Sequence, residues 1–177
     1  MAAPAPGRGM DHDLAPTGPG WLVALETSGL GESLRQSVWL YPLVEITHIL
    51  GFALLVGAIL AFDLRLIGVR APLLPADALA RLLLPVSMAG FALAIPTGLL
   101  LFTTEATALA GNPAFLAKLA LIGLALLNIL AFHRLAGRRM ADWSLSDRPP
   151  PGARFAGAAS LALWVGVLAC GRLIAYL

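Results

Sequence analysis

Glu45 and His48 stand three residues apart in a long apolar run of the sequence. On a helix that spacing puts both side chains on one face. Such a pair can ligate a metal, pass a proton, or bond a neighbouring helix. An ionisable residue inside a membrane span is a functional candidate by default, because charge in lipid is costly. A lone E-x-x-H is a thin metal signal, since di-iron bundles use two such motifs with two further glutamates. This chain has one. Cys170 is the single cysteine, which excludes an internal disulfide and a C-x-x-C site. No phosphate loop, Ser-His-Asp order or nucleotide fingerprint is present.

The elements that must hold these residues follow from composition. Of 177 residues, 59% are apolar and 12% charged, about half the usual charged share of roughly 25%. Mean hydropathy is +0.84. That balance excludes a disordered chain, a coiled coil and a nucleic-acid-binding module, and points to a polytopic membrane protein. The expected fold class is all-α, a transmembrane four-helix bundle. Its spans are expected at about 38–67, 82–102, 113–135 and 155–177. Each reaches the roughly 20 residues that cross a bilayer core. Each must be helical, because lipid offers no partner to backbone polar groups.

Local signals set the boundaries. Ser37 can cap the first span, and Pro42 lies in its first turn. Asn112 followed by Pro113 marks the start of the third. Pro96, Thr97 and Gly98 predict a break in the second. Residues 1–20 are rich in Pro, Gly and Ala and read as a disordered tail, without the apolar stretch of a signal peptide. Residues 21–36 read as one or two short helices at the membrane interface, with Trp21 as an anchor. The remaining 21–177 form a single membrane domain.

Arginine gives the orientation. Arg65, Arg70, Arg81, Arg134, Arg138, Arg139, Arg148 and Arg154 fall on loops 1 and 3 or their flanks. Arg8, Arg35, Lys118 and Arg172 fall on the other side. The excess puts loops 1 and 3 in the cytoplasm and both termini in the periplasm of a bacterial inner membrane. The basic residues are topology signals rather than a phosphate-binding surface, so no nucleic acid partner is expected.

Depth then assembles the candidates. At 1.5 Å per residue, Glu45 lies roughly 9 Å and His48 roughly 14 Å below the outer end of span 1. Arg172 lies roughly 8 Å deep on span 4. An outer-half polar cluster of Glu45, His48, Arg172, Lys118, Thr97 and Cys170 is expected, with Glu45 paired to Arg172. A second cluster, Asp63, His133 and Arg134, is expected at the cytoplasmic face. His133 lies roughly 28 Å below the outer end, so one haem iron cannot join it to His48. A haem b on His48 with another ligand, or a metal ion on His48 and Glu45, stays open. Copper is poorly served, because Met88 falls in the inner half. His12, in the tail, is assigned nothing.

Small residues recur at four-residue spacing: Ala53, Gly57 and Ala61; Gly90, Ala94 and Gly98; Ala158, Ala162, Gly166 and Cys170. Such strips let helices approach closely in lipid, within the bundle, in a homo-oligomer or against a membrane-protein partner.

Trp39-Leu-Tyr-Pro42-Leu-Val-Glu45-Ile-Thr-His48-Ile-Leu-Gly51 and Phe62-Asp63-Leu-Arg65-Leu-Ile-Gly68 resemble a family of uncharacterised bacterial four-helix membrane proteins. So do Gly90-Phe91, Thr97-Gly98-Leu-Leu-Leu-Phe102, Asn112-Pro-Ala-Phe115 with Lys118, Asn128, His133 and Gly171-Arg172-Leu-Ile. The resemblance runs from about Trp21 to the C-terminus. More distantly the chain resembles the copper-resistance D membrane domains, which also place histidine on a transmembrane bundle. The resemblance implies an integral membrane fold and no particular activity. Two functions follow from the residues: a redox, metal- or haem-associated membrane protein using the outer cluster, or a non-catalytic membrane subunit or scaffold whose cluster only locks helices. A small-solute or proton path along Glu45 is the third.

Overall fold

The structure is a computed structural model, and it describes residues 17–69, 75–135, 137, 140–145 and 148–176. The readings placed on residues 1–16 of the tail (Arg8 and His12 included), and on Arg70, Arg138, Arg139 and Leu177, lie outside these residues. Two short helices come first, α1 (Gly20–Glu26) and α2 (Gly29–Gln36). The long helices are α3 (Leu40–Ile67), α4 (Ala76–Thr104), α6 (Pro113–Leu135) and α8 (Pro151–Leu173). Short α5 (Ala106–Gly111) and α7 (Met140–Trp143) join them, and a 3-10 turn, Ile174–Tyr176, ends the chain. The four long helices are apolar and long enough to cross a membrane. The protein is an all-α, multi-pass membrane protein with its long helices packed as a bundle.

Ser37 Oγ accepts from the Leu40 amide at 3.1 Å, and Asn112 Oδ1 accepts from the amides of Ala114 and Phe115 at 2.9 and 3.2 Å. These are N-terminal caps, which satisfy amides that the first turn leaves free. Gly68 closes α3 with φ at 104°, a left-handed conformation that favours glycine. Two starts differ from the hydropathy reading. Helix α4 begins six residues early, at Ala76, because Pro75 sets the entry and Asp77 favours the first turn. Helix α8 begins at Pro151, where the missing N–H costs nothing. The expected break at Pro96 is not seen, and α4 runs unbroken through Pro85 and Pro96. Beside the proline, the Thr97 hydroxyl donates to the Leu93 carbonyl of its own helix at 2.5 Å.

The spans pack in the order α4, α3, α8, α6. The α3–α4 seam is set by glycine. A Cβ on Gly90 would lie 2.5 Å from the Leu55 backbone nitrogen and 2.6 Å from the Gly51 carbonyl oxygen. A Cβ on Gly157 of α8 would lie 2.9 Å from Leu66 Cβ of α3. Lipid tails are as apolar as the helices, so this close packing, rather than escape from water, drives association. The core has two clusters. Leu55, Val56, Ala125, Trp164 and Val167 form one, and Leu66, Phe132, Ala153 and Ala156 the other.

Each end of the bundle is tied by polar groups. At one end, Arg35 donates to the Thr104 carbonyl at 3.0 Å, the Glu26 carbonyl at 2.9 Å and the Glu32 carboxylate at 2.9 Å. Glu26 accepts from the Thr107 amide and hydroxyl at 2.9 and 2.7 Å. These bonds hold α1 and α2 over α5 and the end of α4; we call this the capped end. At the opposite end, the Ser144 carbonyl accepts from the Ala76 amide at 3.0 Å and from Arg65 at 2.8 Å. The Ser144 hydroxyl donates to the Asp77 carboxylate. One residue thus staples the α7 loop to α3 and α4.

Candidate functional site

His48 lies two turns into α3 from the capped end, half-buried against α4. Its Nδ1 is 3.0 Å from the Ala94 carbonyl oxygen and 3.2 Å from Thr97 Oγ1. A carbonyl only accepts, so Nδ1 carries the proton. Thr97 Oγ1 spends its own hydrogen on the Leu93 carbonyl at 2.5 Å, which leaves it an acceptor toward the ring. Nε2 of neutral His48 therefore keeps its lone pair. The ring packs close to Gly98, where a Cβ would lie 3.0 Å from Cε1. Phe52 stacks on it with a centroid distance of 6.5 Å. A backbone carbonyl on Nδ1 with Nε2 left over is the orientation that metal-ligating histidines use.

His48 lines a cavity of about 420 Å3 between α3, α6 and α8. Phe52, Val56, Val167 and Leu168 form apolar walls, and Lys118 enters from α6. Gly171 makes room for that side chain, since a Cβ there would sit 3.9 Å from Lys118 Nζ. Cys170 is next to Gly171 and close enough to Lys118 to interact with its charge. His48, Thr97, Lys118 and Cys170, expected together from depth, are drawn around one region.

Glu45 and Arg172 stand apart from it. Glu45 is exposed on the outer face of α3. Arg172 donates to Tyr176 Oη at 2.6 Å, and its guanidinium lies 4.9 Å from the centre of that ring. Among the described residues no ion pair joins Glu45 to Arg172. Nor do any three His, Cys, Asp or Glu side chains among the described residues gather around a point where a metal ion could sit. Depth was readable in the sequence, but the direction each helix face turns was not.

Of the other expected cluster, Asp63 and His133 border one cavity and Arg134 does not. Asp63 is buried and bonded to Ser160 of α8. His133 is exposed and turns Nδ1 onto the Ile129 carbonyl at 2.9 Å. Arg134 is exposed on α6. Asp63 and His133 line a second cavity toward the stapled end, together with Ser160 and Trp164, which the sequence reading passed over. A serine four residues before a tryptophan in an apolar helix was the available signal. Asn128 belongs to the same level, donating to the Ala156 carbonyl at 2.9 Å and tying α6 to α8.

Comparison with family models, with curated proteins and with solved structures finds no match.

Proposed function

We propose that the chain is a redox protein of the bacterial inner membrane that holds a haem in the cavity beside His48, with both termini in the periplasm. The observation that carries this is the His48 ring, fixed through Nδ1 on the Ala94 carbonyl and left with a free Nε2. A bare metal ion needs about four protein donors, and among the described residues the region offers one imidazole nitrogen and the Cys170 thiol beside a lysine. A haem would bring four nitrogens of its own, so that His48 would suffice as the residue that holds it. The cavity, about 420 Å3 and largely apolar, is in the range of small-molecule sites and opens beyond its own walls. Lys118 suits the carboxylates of such a group. Bound there, the iron would supply one-electron chemistry, with its potential set by His48 and by burial. The chain's part is to orient His48, keep its Nε2 unprotonated, exclude water with Phe52 and Val167, and neutralise anionic substituents through Lys118. The resemblance to copper-resistance D membrane domains supports a histidine-centred role, and the arginine asymmetry supports the orientation.

A second reading is favoured by one observation. Ala53, Gly57 and Ala61 are exposed on α3, and nothing lies within 4 Å of a Cβ placed on Gly57. This small-residue strip, of which Ala53 and Gly57 also edge the His48 cavity, suits close docking of a second copy or another membrane subunit. Oxidised and reduced absorption spectra of the purified protein, with metal analysis, separate the two. A Soret band with stoichiometric iron is expected for the haem protein. No Soret band and no stoichiometric metal would leave the subunit reading.

A further inference from the structure

The packing order α4, α3, α8, α6 leaves α4 and α6 at its two ends, and a cavity of about 470 Å3 lies between them toward the stapled end. Its walls are mainly apolar and carry three phenylalanines, Phe62, Phe91 and Phe132. Leu84, Met88 and Leu126 stand exposed along its edges, so in a bilayer the cavity is reached from the acyl chains. Asp63 of α3 belongs to the same lining, with 4% of its surface exposed. Ser160 serves its carboxyl, and Oδ2 is left without a hydrogen-bond partner. No ion pair among the described residues includes Asp63, and no described lysine or arginine lines the cavity. His133, also in the lining, has its Nδ1 on the Ile129 carbonyl. Native interiors seldom leave a buried oxygen unpaired. An acidic group within a membrane span normally has a partner, and here the described residues supply only a serine.

The chemistry of a partner follows from that oxygen. A carboxylate oxygen accepts, so the partner donates. A carboxylate alone among apolar walls is costly until an opposite charge meets it. An alcohol would donate a hydrogen bond and leave the charge unbalanced, and a carboxylate would meet like charge. A metal ion is poorly served, because no three His, Cys, Asp or Glu side chains gather among the described residues. An ammonium group supplies both the donor and the charge, and phenylalanine rings attract cations. The pair forms whichever way the proton arrives: an ammonium brings it, and a neutral amine takes it from the carboxyl. Asp63 lies four residues from the end of α3, roughly 6 Å by the helical rise. Leu55, also in the lining, lies eight residues deeper, roughly 12 Å. That layout suits a molecule with its charge near the membrane surface and its apolar part below. The volume falls in the range of small-molecule sites. We propose that this cavity binds a lipophilic amine, its ammonium N–H on Asp63 Oδ2 and its apolar body between α4 and α6 toward Leu55.

The test is equilibrium dialysis of the purified full-length protein in dodecyl maltoside against matched empty micelles. The probes are radiolabelled 4-phenylbutylamine, 4-phenylbutan-1-ol and 4-phenylbutanoate, which share one apolar body and differ in the head group. Saturable, stoichiometric binding of the amine is expected, at about tenfold lower concentration than for the alcohol or the carboxylate. Asp63→Asn preserves the size of the side chain and removes its charge. It should weaken the amine about tenfold and leave the alcohol within about twofold. Glu45→Gln, which alters the exposed carboxyl of the same helix, should leave amine binding unchanged. Equal binding of amine and alcohol would overturn the proposal and make the cavity an apolar seam. Absence of saturable amine binding would overturn it too, as would undiminished binding in Asp63→Asn or lost binding in Glu45→Gln. If Asp63→Asn does not fold, the contrast between probes in the unaltered protein and in Glu45→Gln decides the matter.

Discussion

His48 has two nitrogens, and the fold has already assigned one. The Ala94 carbonyl and Thr97 hydroxyl hold Nδ1, so the ring can turn only by giving up both bonds. Groups that orient a ligating histidine are worth about 10–100-fold in affinity when removed. Thr97→Val keeps the shape and loses the oxygen. It should weaken haem binding about tenfold while the melting temperature in detergent stays close to that of the parent. An unchanged affinity would mean that the Ala94 carbonyl suffices. Glu45 and Arg172 call for a different expectation. Arg172 is engaged with Tyr176, and Glu45 faces outward. Glu45→Gln and Arg172→Gln should therefore add, within about 0.5 kcal/mol, when unfolding of the singles and the double is compared. A coupling of ~2 kcal/mol or more would show that the two charges meet. At this scale the sequence was legible in part. Glu45, His48 and Lys118 announce themselves as ionisable groups in apolar runs. That Glu45 turns out and His48 turns in depends on a rotation about the axis of α3. A helix apolar all round carries no moment to fix that rotation.

The helices were easier to read than their faces. Hydropathy marked all four spans, and Asn112 and Ser37 gave two starts through side chains that accept amide bonds. The early starts of α4 and α8 were hidden because their first turns are alanine, charge and proline rather than a continuous apolar run. The Gly90–Ala94–Gly98 strip does meet a neighbour, whereas Ala53, Gly57 and Ala61 face out. Substitution should separate these cases. Gly90→Ala forces a Cβ within 2.5 Å of backbone and should cost about 1–3 kcal/mol in thermal unfolding. Gly57→Ala meets nothing within 4 Å and should be neutral or stabilising by up to about 1 kcal/mol. A neutral Gly90→Ala would mean that the α3–α4 seam is looser than described. The capped end carries a pH dependence. The Arg35 hydrogen bond holds the Glu32 carboxyl below its usual range, although burial opposes this. A depressed carboxyl contributes stability that is complete above its unfolded value and is lost as pH falls through the lower folded one. Protection factors of the α2 amides, taken relative to the intrinsic exchange rate at each pH, should be steady near neutrality and fall in acid, with the acid step removed in Glu32→Gln. A step that persists in the variant would assign it to another group.

As a whole molecule, the protein is a bundle whose spans follow one another in the order α4, α3, α8, α6, tied by Arg35 at one end and Ser144 at the other. Composition alone made the membrane class legible, because 59% apolar residues cannot be covered by 12% charged ones in water. The ties were not legible, since they join residues such as Arg35 and Thr104 that are 69 positions apart. Two cavities at different levels leave His48 and His133 in separate environments. That separation makes His48, and not His133, the residue on which the proposed haem depends. Haemin titration of the purified protein, followed by the Soret band, tests it most directly when the parent, His48→Ala and His133→Ala are compared. The expected result is saturable, stoichiometric binding in the parent and in His133→Ala, with loss of the band shift in His48→Ala. Undiminished binding in His48→Ala, or none in the parent, would contradict the account.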